Sequence, residues 1–306
     1  MQIETVRQPI IILGMHRSGT TMVAELLDEL GLFVGTTVQG DHEATYFLAL
    51  NDKLLHRVNG AWDHPSPFLA FMRNAEAVEM TAKCLRAEIL SSHIRHFMGL
   101  GTYLHFRSIE KFDRPWGWKD PRTVFTLPLW LKLFPQAKIV NILRNGVDVA
   151  SSLQVREKKM LATRVAQFDR RFGRHSGKSK IDLAGYRGSA RCLELAGGFS
   201  LWEEYVADAE KNLAGIPNPI FTLRYEDFLA DPTKHLPTLA QFCNLQPTDA
   251  QIAKAIPAVD ASRSNAWQKD EVLRDFWRGV QDNPWMIRYE YAGEGSGNFA
   301  PQRALV

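Results

Sequence analysis

Short apolar runs alternate with helical patterns along most of the chain. Pro9 precedes Ile10–Gly14 (IIILG), a run of β-branched type that predicts a strand buried on both faces. After MHRSG, the stretch TTMVAELLDEL puts Met22, Val23, Leu26, Leu27 and Leu30 on one helical face, and Gly31 is a stop signal. Residues 10–31 therefore read as strand, glycine loop, helix. The same grammar returns at Ala137–Arg156, where KIVNILR reads as a buried strand and NGVDVASSL as a turn opening a helix. PIFTLRYEDF (Pro219–Phe228) predicts a third strand, followed by a helix around His235–Phe242. RPWGWKDPR predicts a fourth, ending near Lys119 and Asp120 ahead of a helical TLPLWLKLF.

Strands that alternate with helices imply an α/β fold. The expectation is one P-loop-type three-layer domain over residues 1–306, with a central, mostly parallel β-sheet flanked by helices. Ligands of such sheets collect beyond the carboxyl ends of the strands. The loops at Met15–Gly19, Lys119–Arg122, Arg144–Val147 and Arg224–Asp227 would share that edge.

Composition narrows the class further. The 306 residues are 45% hydrophobic and 23% charged, which excludes whole-chain disorder, a collagen-like repeat and a disulfide miniprotein. Net charge is only +3. Its distribution is uneven, with eleven Lys and Arg against three Asp and Glu between Val155 and Arg191. That stretch predicts a basic insertion at about 155–191, serving as a solvated surface segment or as a flap over an anion. Three widely spaced cysteines (Cys84, Cys192 and Cys243) and no CxxC pair argue against structural zinc and a disulfide framework. The first seven residues lack the apolar run of a secretory leader, and no apolar stretch approaches the ~20 residues of a membrane helix. The expectation is a cytoplasmic protein without a membrane span; no nucleic-acid reader motif is present.

Gly14-Met-His-Arg-Ser-Gly19-Thr20-Thr21 has the G-x4-G spacing of a phosphate loop, whose backbone N–H groups and helix N-terminus favour an anion. Thr20 stands where nucleoside triphosphatases have lysine, and the basic residue lies inside the loop at Arg17. A kinase without that lysine loses its contact to the β- and γ-phosphates. The loop therefore suits a shorter anion handled without magnesium.

HRSGTT after a buried strand resembles the 5′-phosphosulfate loop of sulfotransferases that use 3′-phosphoadenosine 5′-phosphosulfate (PAPS). Arg144-Asn-Gly-Val-Asp148-Val-Ala-Ser-Ser152 resembles the 3′-phosphate motif of that family, with Gly146 where proline is usual and Ser151 adjacent to Ser152. WGWKDPRTVFTLPLW, GGFSLWEEYVADA, LRYEDFLADP and SRSNAWQKD extend the resemblance to bacterial and glycan-modifying members over roughly residues 8 to 290. The C-terminal basic-glycine motif of the cytosolic small-molecule members is replaced by Ser262-Arg-Ser-Asn265-Ala-Trp267.

The resemblance implies that Arg17, Ser18, Gly19, Thr20 and Thr21 hold the 5′-phosphosulfate, and that Arg144 and Ser152 hold the 3′-phosphate. Lys119, in WKDPR, matches the catalytic lysine of glycan and tyrosyl members. Glu43, in HEATYFLALN, matches the catalytic glutamate of glycan N-sulfotransferases, with His42 and His64 in reserve as bases. The implied reaction moves a sulfuryl group from PAPS to a hydroxyl, less readily an amine, of a carbohydrate or polar metabolite. Lys119 and Arg17 would supply the charge, without a metal. A P-loop small-molecule kinase, or a non-catalytic protein that binds a nucleotide or an anionic glycan, are the competing readings. His42-Glu43-Ala-Thr-Tyr46 is no zinc motif, because Tyr46 replaces the second histidine. Trp62 and Trp267 are candidate platforms for adenine or sugar.

Overall fold

The four apolar runs form one parallel sheet. The computed structural model describes residues 8–172, 188–260 and 263–293. Strands β1 (Ile10–Leu13), β2 (Gly117–Lys119), β3 (Lys138–Leu143) and β4 (Ile220–Arg224) lie in the order β2-β1-β3-β4. All three pairings are parallel. Numbering only the helices used below, the chain adds α1 (Thr20–Glu29), α2 (Thr45–His56), α3 (Ala75–Leu90), α4 (Thr123–Leu133) and α5 (Gly146–Phe172). It continues through α6 (Leu195–Leu213), α7 (Tyr225–Ala230), α8 (Pro232–Phe242) and α9 (Asp249–Ala255). Among the described residues, no helix is long and apolar enough to cross a membrane.

Period-two alternation in the strands divides the core into two layers. Ile11 and Leu13 of β1, with Trp118 and Ile139, face the larger cluster, which also holds Leu85, Leu129, Val149 and Trp202 from α3, α4, α5 and α6. Ile10 and Ile12, with Val140, Ile142 and Leu223, face the smaller one, which holds Leu27, Phe228, Leu239 and Ala255 from α1, α7, α8 and α9. Helices therefore cover both faces, giving the three layers expected. The chain leaves β1 for β2 on one side and returns from β2 to β3 on the other. The end of β1 is consequently the switch point of the sheet, where a crevice opens.

Two elements differ from the sequence reading. The strand expected over Pro219–Phe228 stops at Arg224, and Tyr225–Ala230 is helical. Its neighbour β3 ends at Leu143, which pairs with Arg224, so no ladder partner remains beyond that point. The basic stretch 155–191 starts as the second half of α5, which continues to Phe172 without a break. Residues 173–187 of that stretch lie outside the described residues.

Packing at the ligand edge is tied down by Asn51 of α2, which is fully buried. Its Nδ2 donates to Asp120 Oδ2 (2.8 Å) and Thr123 Oγ1 (3.0 Å). Its Oδ1 accepts from Thr126 Oγ1 (2.7 Å) and Trp130 Nε1 (2.9 Å). One amide thus fills its hydrogen-bonding capacity and fastens α2 to α4 and to the exit of β2. Asn51→Leu is expected to remove four buried hydrogen bonds, leaving Trp130 Nε1 without its acceptor, and to cost about 3 kcal/mol of stability. Denaturant unfolding of the variant against wild type measures this.

Candidate functional site

The loop Gly14–Gly19 joins β1 to α1 at the switch point. Gly19 has φ +92°, and a Cβ there would lie 2.2 Å from a ring carbon of Tyr225, so the position is closed to any side chain. Arg17 is also left-handed (φ 69°). Ser18 is buried and turned inward, its hydroxyl donating to the Met15 carbonyl at 2.7 Å. Thr20 is buried at the start of α1, whose first-turn N–H groups have no acceptor within the helix. Thr21 donates to the Asp41 carbonyl at 3.1 Å.

A cleft of about 660 Å³, partly open to solvent, lies on this loop. Arg17, Gly19, Thr20, Thr21, Glu43, Lys119 and Arg144 all line it. Six of these seven come from three separate strand ends, β1, β2 and β3, and Glu43 precedes α2. Ser152 reaches the same place from the second turn of α5, where its Oγ accepts from Arg17 Nε at 2.9 Å. That bond distinguishes it from Ser151.

Arg144 follows β3 and is held from several sides. Its Nη1 donates to the Arg17 carbonyl and its Nη2 to the Arg263 carbonyl, each at 3.0 Å. Its guanidinium carbon stands 4.6 Å from the Tyr225 ring centre, a cation–π contact. Asp148, one helical turn on, lies 3.6 Å from Nη2 and accepts backbone N–H bonds from Ala266 and Trp267. Arg144 Nε is buried without a hydrogen-bond partner among the described residues. The guanidinium is therefore oriented in advance and keeps spare donor capacity at the cleft.

Lys119 and Glu43 form a buried ion pair, Nζ to Oε1 at 3.0 Å. Burial pushes the Glu43 carboxyl up from the usual carboxylate range, while Lys119 pulls it back down. Arg122 Nη1 is 3.8 Å from Glu43 Oε2 and 3.0 Å from Asp120 Oδ1. The reserve histidines stand apart from the cleft lining: His42 bonds to Asp28 at 3.0 Å, and His64 is exposed beside Ser66. Trp267 is 3% exposed and stacked on Trp277 at 4.6 Å, which makes it a core residue and no adenine platform. Trp62 lies edge-on to His16 at 4.7 Å, with Arg156 over its face.

Seven lining residues carried no site role in the sequence reading, among them the polar or aromatic His16, Glu25, Asp41, Tyr225 and Arg263. His16 and Arg263 lie inside motifs already singled out, HRSGTT and SRSNAW. Tyr225 lies inside LRYEDF. Their neighbourhood in those motifs was the available signal. Among the described residues, no group of three His, Cys, Asp or Glu could hold a metal ion.

The model of the sulfotransferase family matches residues 9–249. No curated protein matches the chain. Among solved structures, the chain is similar to a sulfotransferase domain from the curacin biosynthetic pathway, at 16% identity over 90% of this chain and 98% of that one, with a TM-score of 0.45. It is similar to mouse sulfotransferase SULT7A1 complexed with PAP, at 13% identity over 94% and 89%, with a TM-score of 0.44. It is also similar to a sulfotransferase from Alicyclobacillus acidocaldarius, at 18% identity over 88% and 99%, with a TM-score of 0.39.

Lys119→Met would leave Glu43 buried without its nearest cation, a loss of about 3 kcal/mol at neutral pH. Loss of the cation raises the folded-state pKa of Glu43 further above its unfolded value. The folded variant then binds a proton more tightly than the unfolded chain does. Its deficit against wild type should therefore shrink as pH falls from neutral toward the ordinary carboxylate range. Denaturant unfolding at pH 8 and pH 5.5 reads the expected sign.

Proposed function

Because the chain belongs to the sulfotransferase family, we propose that it transfers a sulfuryl group from PAPS to a hydroxyl of an acceptor, either a carbohydrate or a polar metabolite. One observation carries the reading. The phosphate loop, Arg144 with Ser152, and Lys119 with Glu43 stand far apart in sequence and meet at one cleft. An anion held by a glycine loop and a second anion held by a guanidinium and a hydroxyl describe a nucleotide with phosphate at both ends. The spare Arg144 Nε and the cations that line the cleft fit that donor.

In this reading Arg17, Ser18, Gly19, Thr20 and Thr21 hold the 5′-phosphosulfate, Arg17 through its guanidinium and the others chiefly through backbone N–H groups. Arg144 and Ser152 grip the 3′-phosphate; the Ser152 hydroxyl accepts from Arg17 and keeps its own proton to donate to that phosphate. Lys119 and Arg17 offset the negative charge that grows on the transferring group and the bridging oxygen. The acceptor oxygen forms a bond to sulfur as the bond from sulfur to the 5′-phosphate oxygen breaks. The acceptor's proton must leave in the same step. Glu25, Asp41, Glu43 and His16 line the cleft and can accept a proton; of these, Glu43 is paired with Lys119, and His16 Nε2 is unpaired among the described residues.

Calorimetric titration with the desulfonated product, 3′-phosphoadenosine 5′-phosphate (PAP), tests the donor against AMP and ATP, with and without magnesium. Magnesium-independent binding that requires the 3′-phosphate is expected, and Arg144→Ala should weaken PAP at least tenfold while AMP changes little. Preference for ATP with magnesium would replace this reading by the kinase one.

A further inference from the structure

His16 is the polar side chain of the phosphate loop Gly14–Gly19 that the donor contacts above leave unused. Its imidazole is 8% exposed and forms part of the cleft wall that also carries Glu43 and Lys119. The ring packs edge-on against Trp62 (4.7 Å between centres) and Tyr205 (6.2 Å). Tyr205 spends its hydroxyl on the Trp62 carbonyl at 2.8 Å. His16 Nε2 is buried and has no hydrogen-bond partner among the described residues. A buried polar atom left unpaired is costly, so a fold that keeps one at its ligand site calls for a reason.

The charged groups around the ring are mostly cationic. Arg17 comes from its own loop, Lys119 from the end of β2, Arg122 from the start of α4 and Arg156 from α5. Glu43, which lines the cleft together with the acids Glu25 and Asp41, is committed to Lys119 and Arg122. Burial first, and then these four cations, hold the imidazole neutral. Glu43 and His16 are thus in opposite conditions. A proton on Glu43 would leave Lys119 and Arg122 buried around a neutral carboxyl, whereas His16 offers a nitrogen that no other group uses.

Building on the PAPS reading, we propose that His16 takes the proton of the attacking hydroxyl, while Glu43 stays ionised as the counter-ion that positions Lys119. The hydroxyl oxygen bonds to sulfur, the bond from sulfur to the 5′-phosphate oxygen breaks, and the proton moves to an imidazole nitrogen. The nucleotide leaves with the electron pair of the broken bond. The same four cations make the base dependent on the donor. With a polyanion in the cleft, their charge is offset and the imidazolium becomes cheaper to form. His16 is therefore a poor base in the free protein and a competent one in the loaded cleft.

The test uses the full chain with isotope-labelled histidine, and the His16 signals are assigned by their absence in His16→Gln. Titration by NMR should show the His16 ring titrating well below the usual imidazole range without ligand, and its pKa raised measurably with saturating PAP. Release of inorganic sulfate from PAPS, with water as the hydroxyl acceptor, gives the second readout. His16→Gln should slow it about 100-fold and remove the fall in rate on the acid side, while PAP affinity stays within about threefold. Glu43→Gln should lower the rate but keep that acid limb. A His16 titration unmoved by PAP, or an acid limb lost in Glu43→Gln and kept in His16→Gln, would overturn the assignment. The wild-type titration reads the proposal even if the variant folds poorly. A wild type that ignores PAP altogether overturns the donor reading instead, and this assignment with it.

Discussion

The buried pair of Lys119 and Glu43 sets the conditions for the rest of the cleft. Two charges removed from water are costly unless each is compensated closely. Here compensation is shared, because Asp120 and Arg122 stand beside them and Asn51 fixes Asp120 from below. Arg122 also reaches Asp52 at 3.4 Å, so the cations of this inner cluster are matched by acids within it. The outer cations, Arg17, Arg144 and Arg263, are then left to face the crevice at the end of β1. The pair also joins the exit of β2 to the entry of α2 across 76 residues of sequence. The sheet edge and α2 are thereby held in one geometry.

Much of this was legible from the chain because the relevant signals are local. A β-branched run followed by G-x4-G and an apolar helical stripe defines strand, loop and helix within Ile10–Leu30. Arginine at a strand end with a serine two turns into the next helix is equally compact, and Arg144 with Ser152 sits at the loop as that spacing implies. Lys119 and Glu43 were each visible from motif context, but their contact was not, since nothing in either segment encodes the other.

What stayed hidden depends on groups brought together by folding. The condition of His16 is set by Trp62, Tyr205, Arg122 and Arg156, which come from four stretches of sequence. Asn51 looks like any polar residue in an apolar helix until Thr126 and Trp130 arrive from α4. The end of β4 is fixed by the length of its neighbour, a property that no residue of PIFTLRYEDF carries. Trp267 was legible as an aromatic near the site, whereas its stacking on Trp277 required the packing of the last helices.

Helix α5 runs unbroken from Gly146 to Phe172 and carries Ser152 and Arg156 on the same side, one turn apart. Ser152 meets the glycine loop through Arg17, and Arg156 covers Trp62 on the wall that holds His16. About 6 Å of rigid rod therefore separates the two halves of the crevice. A rod has no joint at which one end can be adjusted alone, so any tilt of α5 displaces both halves in step. Side chains could be exchanged in either half alone, but moving this helix would shift the contact at the glycine loop together with the wall beside His16.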